Sequence, residues 1–260
     1  MTVEFLIIII AVLLVCIALF GTARMTDKII LNKKLKEIDQ MKNDFIWTVS
    51  HELRTPLTVI RGYTEILKAE EGLSKDGKEN VTRIDDASIH LDSLISDIVD
   101  VSKLESGSMT FDPKIIDPVL IAHRVVNDFG IAARHKGLNL TLKVVSTANI
   151  NVDPIRLTQV LKNLVSNGIK YTNNDSVALK IKIEGSDLLI VVSDTGVGIS
   201  DENQTKIFDK FYRSNNRESR GTGLGLWITK TMVKKMGGKV TVRSKEGVGS
   251  NFTLRFQIVA

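Results

Sequence analysis

The chain has 260 residues, of which 43% are hydrophobic and 25% are charged, a composition typical of proteins that fold around a core. Its formal net charge is +5, with 35 Lys and Arg against 30 Asp and Glu, and it has no basic block of the kind that indicates nucleic-acid binding. The single cysteine, Cys16, excludes an internal disulfide framework and a cysteine-based zinc site. The four scattered histidines lack a paired metal-ligand spacing.

An apolar segment near the N-terminus predicts a transmembrane helix. Every residue from Phe5 to Phe20 is apolar, and no positive charge occurs before Arg24. About nineteen uncharged residues span the hydrocarbon core of a bilayer. A cleaved signal peptide is the alternative, but Glu4 precedes the segment, which is also longer than the usual apolar core of a signal peptide.

The charges that follow this segment predict its orientation. They are Arg24, Lys28, Lys33, Lys34 and Lys36. Positive charges flank membrane helices on the cytoplasmic side, so we expect about four residues outside and no external ligand-binding domain.

A pair of amphipathic helices is predicted next, one from residue 27 to about 70 and one that ends near Gly107. Their apolar residues recur at spacings of three and four. These residues are Leu31, Leu35, Ile38, Met41, Phe45, Val49 and Leu53 in the first helix, and Val81, Ile84, Leu91, Leu94, Ile95, Ile98, Val101 and Leu104 in the second. A lone hairpin buries both stripes poorly, whereas two hairpins form a four-helix bundle, so we expect a homodimer.

Beyond a proline-containing linker at residues 112–118, the pattern changes to mixed α/β. Strands are predicted at residues 138–145, 177–183, 188–193, 239–244 and 250–257, and helices at residues 155–170 and 222–236. The expected domains are a transmembrane segment at 1–23, a helical domain at 24–110 and an α/β domain at 111–260. The expected fold is therefore a membrane-anchored α plus α/β chain.

His51 lies on the first long helix, opposite the apolar stripe, and should be exposed. Glu52 can orient or deprotonate one imidazole nitrogen while the other acts as a nucleophile, and Thr55 lies one turn further on the same face. Pro56 should bend the helix just past the histidine. An ordinary solvated histidine is the alternative, which is our interpretation of the other three histidines.

Four later segments have features of a nucleotide site. Asn163 and Asn167 are four residues apart on one helix face, and an amide oxygen suits Mg²⁺. The Asp194-Thr-Gly-Val-Gly198 turn follows an apolar strand, where a carboxylate can accept from an exocyclic amino group of a base. Solvated asparagines and a plain hairpin are the alternatives for these two segments.

The other two segments contain a candidate phosphate site. Phe208 and Phe211 are expected in the core, Arg213 is a candidate for the γ-phosphate, and residues 214–222 are expected to form a mobile lid. Residues 221–226, Gly-Thr-Gly-Leu-Gly-Leu, open a helix whose backbone amides can bind phosphate. Their spacing excludes a dinucleotide fingerprint, and the chain has no P-loop motif.

These segments together resemble the sequence boxes of bacterial sensor histidine kinases. Ser-His-Glu-Leu-Arg-Thr-Pro-Leu at residues 50–57 resembles the H-box of the HisKA type. Residues 163–172, 194–199, 207–213 and 221–226 resemble the N-box, first glycine box, F-box and second glycine box of the GHKL-type ATP-binding domain. Gly168 stands where alanine is common, at a cost of about 1 kcal/mol in helix propensity.

The resemblance implies a role for each matched residue. His51 would be phosphorylated from ATP, Glu52 would act as base, and Thr55 would serve dephosphorylation of the regulator. Asn167 would hold Mg²⁺, and Asp194 would recognise adenine. The remaining implied nucleotide-binding residues are Asn163, Lys170, Tyr171, Gly196, Gly198, Gly221, Thr222, Gly223, Leu224 and Gly225.

The implied protein is an ATP- and Mg²⁺-dependent histidine kinase that transfers its phosphoryl group to an aspartate of a separate response regulator. A gyrase- or chaperone-like conformational ATPase and a degenerate kinase acting as scaffold or phosphatase are the alternatives. About 28 residues, or roughly 42 Å of helix, separate Ala23 from His51. This leaves too little room for the usual sensor modules, so we expect a signal from the lipid bilayer or from a partner membrane protein.

Overall fold

The computed structural model describes residue 38 and residues 40–70, 72–213 and 222–259. The predicted transmembrane segment, residues 5–20, lies outside this part of the chain, as does Gly221. Within the described part, no helix is long and apolar enough to cross a bilayer. The chain divides into two compact units, Met1–Glu52 and Leu53–Ala260. The domain boundaries expected at residues 23 and 110 stay predictions.

Two long helices form the N-terminal part of the described chain. Helix α1 covers residues 40–69, and α2 covers Lys75–Ser106. The hydroxyl of Ser74 caps α2 by accepting from the Gly77 amide, and Gly107 ends the helix in the left-handed conformation with φ of 71°. The predicted helix pair and its end near Gly107 are therefore confirmed for the described residues.

A buried polar cluster joins the second half of α1 to α2. The carboxylate of Asp85 is paired with Lys68 and accepts a hydrogen bond from the Thr64 hydroxyl at 3.3 Å. The Lys68 hydrogen bond holds the pKa of Asp85 below its ordinary value, although burial opposes it. Because the Lys68 side chain is 38% exposed, this ion pair adds little net stability.

The rest of the chain is an α/β domain with one five-stranded sheet. Its elements are β1 (Lys114–Ile116), α3 (Val119–His135), β2 (Asn139–Val144), β3 (Ile150–Val152), α4 (Pro154–Tyr171), β4 (Ser176–Glu184), β5 (Asp187–Asp194), α5 (Asp201–Gln204), α6 (Gly225–Lys235), β6 (Lys239–Lys245) and β7 (Gly249–Gln257). The sheet order is β2-β4-β5-β7-β6, and β2 and β4 form its one parallel pair. A separate two-stranded sheet pairs β1 with β3.

The core lies between one face of the sheet and the helices α3, α4 and α6. Buried and partly exposed side chains alternate along β4, as expected for a strand covered on one face. Residues such as Leu179, Ile190 and Leu254 on the sheet meet Leu161 and Met232 on the helices. This arrangement is a two-layer α/β sandwich, which agrees with the mixed α/β pattern predicted from the sequence.

Four elements were not predicted, namely β1, α3, β3 and α5. Two of them have only three residues, too few for a visible alternation. The five predicted strands and the two predicted helices of this domain are present within a few residues of their expected bounds. The parallel β2–β4 pair requires a long crossover, which α4 supplies.

The end of α2 packs into the α/β domain. Leu104 and Met109 are buried in the same core cluster as the sheet residues. Three polar contacts border this packing: Asp97 accepts from the Thr222 hydroxyl at 2.8 Å, Asp100 accepts from the Gln159 amide at 2.5 Å, and Glu105 pairs with Lys210. The last turns of α2 are thus part of the core of the α/β domain.

Candidate functional site

His51 is an exposed side chain on α1, as predicted. Its ring lies 5.9 Å from the ring of Trp47, one turn earlier, with the two planes tilted by 30°. Glu52 and Thr55 are also exposed, and the helix continues without interruption through Pro56. An exposed imidazole is accessible to a second macromolecule or domain, which a phosphoacceptor requires.

Helix α4 contributes two asparagines, and their environments differ. The helix begins at Pro154 after the Asp153 cap, whose carboxylate accepts from the amides of Ile155 and Arg156. The Asn163 amide donates to the Thr229 hydroxyl of α6 at 2.8 Å. In the described part of the chain, no hydrogen bond engages the half-buried Asn167 side chain.

This difference separates a positioning residue from a residue that can bind a ligand. A Cβ at Gly225 would lie 2.6 Å from Asn163 Oδ1, so Asn163 fills the space beside the start of α6. Asn167 retains its amide oxygen, a hard ligand suited to Mg²⁺. The next residue, Gly168, packs closely against β4. A Cβ at this position would lie 3.0 Å from Val177 Cγ1, so alanine would require Val177 to shift.

Asp194 is the last residue of β5. Its Oδ1 accepts from the Gly196 amide at 3.0 Å and from the Ser250 amide at 3.3 Å. Burial raises the pKa of Asp194 above its ordinary value, although these hydrogen bonds oppose the rise. A half-buried carboxyl group with backbone donors on one oxygen can still bind an amino group through the other.

The two glycines after Asp194 are required by close backbone packing. A Cβ at Gly196 would lie 2.3 Å from the Tyr171 carbonyl oxygen at the end of α4. Gly198 has φ of 68°, and a Cβ there would lie 2.0 Å from the Lys245 carbonyl oxygen. Gly196 therefore lets the Asp194 turn approach the end of α4, and Gly198 lets it approach the end of β6.

Lys136 binds the C-terminal end of α4. Its ammonium donates to the carbonyl oxygens of Ile169 and Lys170, each at 2.7 Å. Lys170 and Tyr171 follow at the end of this helix, with the Lys170 Nζ 4.9 Å from the Tyr171 ring centroid. Lys136 was not identified from the sequence, where it is one lysine among many.

The start of α6 forms the remaining side of the candidate site. Thr222, Gly223, Leu224 and Gly225 lead into the helix, and the Leu224 amide donates to the Thr222 hydroxyl at 3.0 Å. The same hydroxyl donates to Asp97 on α2. Asp97, which was also missed from the sequence, therefore contacts the predicted phosphate loop directly.

The predicted F-box residues divide between core and surface. Phe208 is buried, as expected, but Phe211 is 69% exposed, so its predicted core position is wrong. Phe211 also has φ of 61°, a left-handed conformation that is uncommon for a bulky residue. Arg213 is exposed immediately before residues 214–221, and most of the predicted lid lies outside the described residues.

These residues fit a bound nucleotide and a divalent ion. The ends of α4 and β5 and the start of α6 meet through the contacts of Asn163, Gly196 and Gly225 described above. They bring together an amide oxygen, a carboxyl group and a helix N-terminus, which suit a metal ion, an adenine base and phosphate respectively.

Comparisons with known proteins agree with this assignment. Residues 152–260 match the family described as histidine kinase-, DNA gyrase B- and HSP90-like ATPase, and residues 41–107 match the His Kinase A (phospho-acceptor) domain. The chain belongs to the sensor histidine kinases of two-component systems.

Individual relatives cover most of this chain. Sensor histidine kinase RcsC of Salmonella typhimurium is 38% identical over 86% of this chain and 24% of its own length. Sensor protein SrrB of Staphylococcus aureus is 32% identical over 84% of this chain and 38% of its own length. The chain thus spans between a quarter and two fifths of these curated relatives.

Solved structures share the architecture. Full-length ShkA in complex with AMPPNP aligns with a TM-score of 0.68 and 29% identity, over 84% of this chain and 46% of that chain. Histidine kinase AdeS of Acinetobacter baumannii has the same fold, with a TM-score of 0.57 and 22% identity over 81% of this chain.

Proposed function

We propose that this protein is a sensor histidine kinase that phosphorylates His51 from Mg²⁺-ATP and passes the phosphoryl group to an aspartate of a response regulator. The observation that carries the proposal is the free Asn167 amide beside the Asp194 turn and the start of α6. The exposed His51 is the proposed phosphoryl acceptor, and the carboxylate of Glu52 follows it in sequence. Both residues lie on α1, a separate helix from α4 and α6. The complex of ShkA with AMPPNP supports ATP as the nucleotide.

In the proposed reaction, one nitrogen of His51 attacks the γ-phosphorus of ATP. A P–N bond forms, the bond to the bridging oxygen breaks, and ADP leaves. Glu52 accepts or orients the proton on the other imidazole nitrogen. Mg²⁺, held by Asn167, would neutralise phosphate charge, and Arg213 is placed in sequence to contact the γ-phosphate.

Further residues of this chain would act in phosphoryl transfer to the regulator and in binding of ATP. The phosphoryl group would pass from His51 to an aspartate carboxylate of the regulator, and Thr55 would position a water that hydrolyses the phosphorylated regulator. Asp194 would bind the exocyclic amino group of adenine, which gives selectivity for ATP. Thr222, Gly223, Leu224 and Gly225 would present the phosphate-binding amides.

Replacement of Asn167 tests the function. We expect Asn167→Ala to lower phosphorylation of the full chain by about 100-fold or more, because charge stabilisation at the phosphates is lost. Ser166→Ala, an exposed neighbour on the same helix, should keep normal activity. Retained phosphorylation in Asn167→Ala would overturn the metal assignment, and a chain with no phosphorylation in any form would indicate a scaffold or phosphatase.

We also propose that residues 5–20 anchor the kinase in the cell membrane, with its kinase domains in the cytoplasm. The signal would act on this membrane segment and would come from the lipid bilayer or from a partner membrane protein. The apolar composition and the flanking positive charges support this proposal. Exchange of residues 5–20 for an unrelated apolar helix should abolish regulation in cells but keep kinase activity. Unchanged regulation would exclude sensing within the membrane.

A further inference from the structure

Among the described residues, no helix lies over one face of the five-stranded sheet. The helices cover the other face, so alternate residues of each strand point outward on what we call the outer sheet face. Its basic side chains are Lys143, Lys180, Lys182, Lys239, Arg243, Lys245 and Arg255, and its acidic side chains are Glu184 and Asp187. The face is therefore strongly positive.

This face accounts for the whole net charge of the protein. It has seven basic and two acidic side chains, an excess of five, and the chain as a whole has a net charge of +5. The remaining residues are thus balanced between acidic and basic groups. A concentration of charge on one face attracts an oppositely charged surface.

Most of these basic side chains lack an acidic partner. Lys182 and Arg255 pair with Glu184, and Arg255 also pairs with Asp187. For Lys143, Lys180, Lys239, Arg243 and Lys245, the described part of the chain provides no ion pair. The excess charge is therefore available to an external anion.

The strand register also brings like charges together. Lys143 on β2 lies directly beside Lys180 on β4, and Arg255 on β7 lies beside Lys239 on β6. Directly opposed like charges destabilise a sheet. An anionic surface bound to this face would relieve the repulsion.

The shape of the face suits a broad surface more than a small ligand or a nucleic acid. Its centre has no charged side chain: Leu189, Val191 and Ser193 of β5 lie between Ala178 on β4 and Thr253 on β7, and the five strands span about 20 Å. No outward strand position has an aromatic side chain on which a base could stack. Five of the seven basic residues are lysines, which act as point charges without a fixed geometry.

We infer that the outer sheet face binds the anionic headgroups of the lipid bilayer. The inference rests on the proposed membrane anchor, because residues 24–52 alone separate the predicted membrane helix from the unit that carries the sheet. A tether of this length keeps the domain near the bilayer, where even weak attraction is effective. Each basic residue near an anionic surface strengthens association about fivefold.

The test places the full chain in lipid nanodiscs and measures contact of this face with lipid. In a Cys16→Ser background, a fluorophore is attached at Thr253→Cys, and spin-labelled lipid serves as quencher. We expect strong quenching in discs with phosphatidylglycerol, weak quenching in pure phosphatidylcholine, and loss of the difference at high salt.

A charge-reversed variant and a matched control give the decisive comparison. Reversal at Lys143, Lys180 and Arg243 to Glu should shift the contact equilibrium by more than about 100-fold toward the free domain, because three attractive charges are lost and three repulsive charges are added. Reversal at Lys78, Lys234 and Lys235, which lie on α2 and α6, should leave quenching in anionic discs intact. Equal quenching in both lipids, or equal loss in both variants, would overturn the inference.

Phosphorylation of His51, measured on the same discs, separates this inference from the proposed function. Phosphorylation without lipid-dependent quenching would overturn the lipid contact and leave the kinase assignment standing. In that case, salt-sensitive protection of the fluorophore by an acidic protein or a nucleic acid would show that the face serves a different partner. Quenching without phosphorylation would support the lipid contact and count against the kinase.

Discussion

At the scale of single side chains, Lys136 stabilises the end of the helix that presents Asn167 and Tyr171. Its ammonium binds two carbonyl oxygens at the C-terminus of α4, where the helix dipole is negative. The same helix end meets the Asp194 turn, since the Val197 amide donates to the Tyr171 carbonyl at 3.2 Å. Lys136 is therefore a positioning residue for the nucleotide site.

We expect Lys136→Met to lower the free energy of unfolding by about 1 kcal/mol and to weaken ATP binding several-fold. The maximal rate at saturating ATP should change little, because Lys136 does not contact the reacting atoms. Titration of the full chain in detergent with a fluorescent ATP analogue measures the affinity.

Two further variants make the Lys136 experiment specific. Lys136→Arg should recover most of the affinity because it keeps a charged donor. Arg134→Met, which removes a neighbouring exposed cation, should bind ATP normally. An unchanged affinity in Lys136→Met would show that the contact is structural only.

At the scale of elements, α2 and the start of α6 meet through Asp97 and Thr222. Burial raises the pKa of Asp97, the nearby Asp100 raises it further, and the Thr222 hydrogen bond and His90 oppose the rise. Burial also raises the pKa of Asp100. Burial thus outweighs the hydrogen bonds from Thr222 and Gln159, so protonation of these two carboxyl groups is easier in the folded chain than in water.

The sign of the pH effect follows from this shift. A group whose pKa is raised in the folded state stabilises the fold below its ordinary value, here 3.8, and loses that contribution as the pH rises through the raised pKa. Asp97→Asn removes the charge and keeps an oxygen that accepts from Thr222. We therefore expect the variant to melt about 2–4 °C above the parent at neutral pH.

Thermal unfolding of the full chain at several pH values checks this expectation. The advantage of Asp97→Asn should shrink as the pH falls toward 4, because the parent then binds its own proton. Asp86→Asn, on an exposed part of α2, should show no such pH-dependent difference. If the melting temperatures of both variants depend on pH in the same way, the Asp97 contact does not contribute to the packing of α2 against the α/β domain.

The elements differ in how far the sequence predicts them. Strand β4 alternates clearly, and the Gly185-Ser186 turn joins it to β5, so both strands were predicted. Helix α3 was not predicted, because Asp117 and Pro118 were interpreted as a linker, although the Asp117 carboxylate accepts from the Val119 amide at 3.0 Å at the start of this helix. The contact of Asp97 with Thr222 spans 125 residues of sequence, which no local pattern encodes.

Some features of the candidate site were also predicted from the sequence, and others were visible only in the structure. The spacing of Asn163 and Asn167 predicts a shared helix face, but only the packing of α6 shows that Asn163 is engaged and Asn167 is free. Phe211 was placed in the core from its hydrophobicity alone. Its left-handed backbone and the close approach of Gly223, where a Cβ would lie 2.8 Å from the Phe211 carbonyl carbon, are not encoded in a local pattern.

At the scale of the whole molecule, the apolar stripes of the hairpin indicate a second copy. In the single chain Phe45 is 68% exposed, Met41 is 63% exposed and Ile84 is 48% exposed. Apolar residues repeated along two helices at this exposure indicate an interface. A homodimer that buries them in a four-helix bundle is the arrangement we propose.

A charge in the stripe should disrupt that dimer. We expect Phe45→Asp to convert the full chain from dimer to monomer at micromolar concentration, since an unpaired carboxylate would be buried in the bundle. Light scattering of the detergent-solubilised protein measures the mass. Thr58→Asp, on an exposed polar position of α1, is the matched control, and a persistent Phe45→Asp dimer would exclude this interface.

Phosphorylation of His51 is the most direct test of the whole account. The full chain is incubated with γ-labelled ATP and Mg²⁺ beside His51→Gln and His90→Gln. We predict a label that is acid-labile and alkali-stable on the parent and on His90→Gln, absent from His51→Gln, and transferable to an aspartate of a response regulator. Label that remains on His51→Gln, or no label on a parent that binds ATP, would contradict the assignment of a histidine kinase.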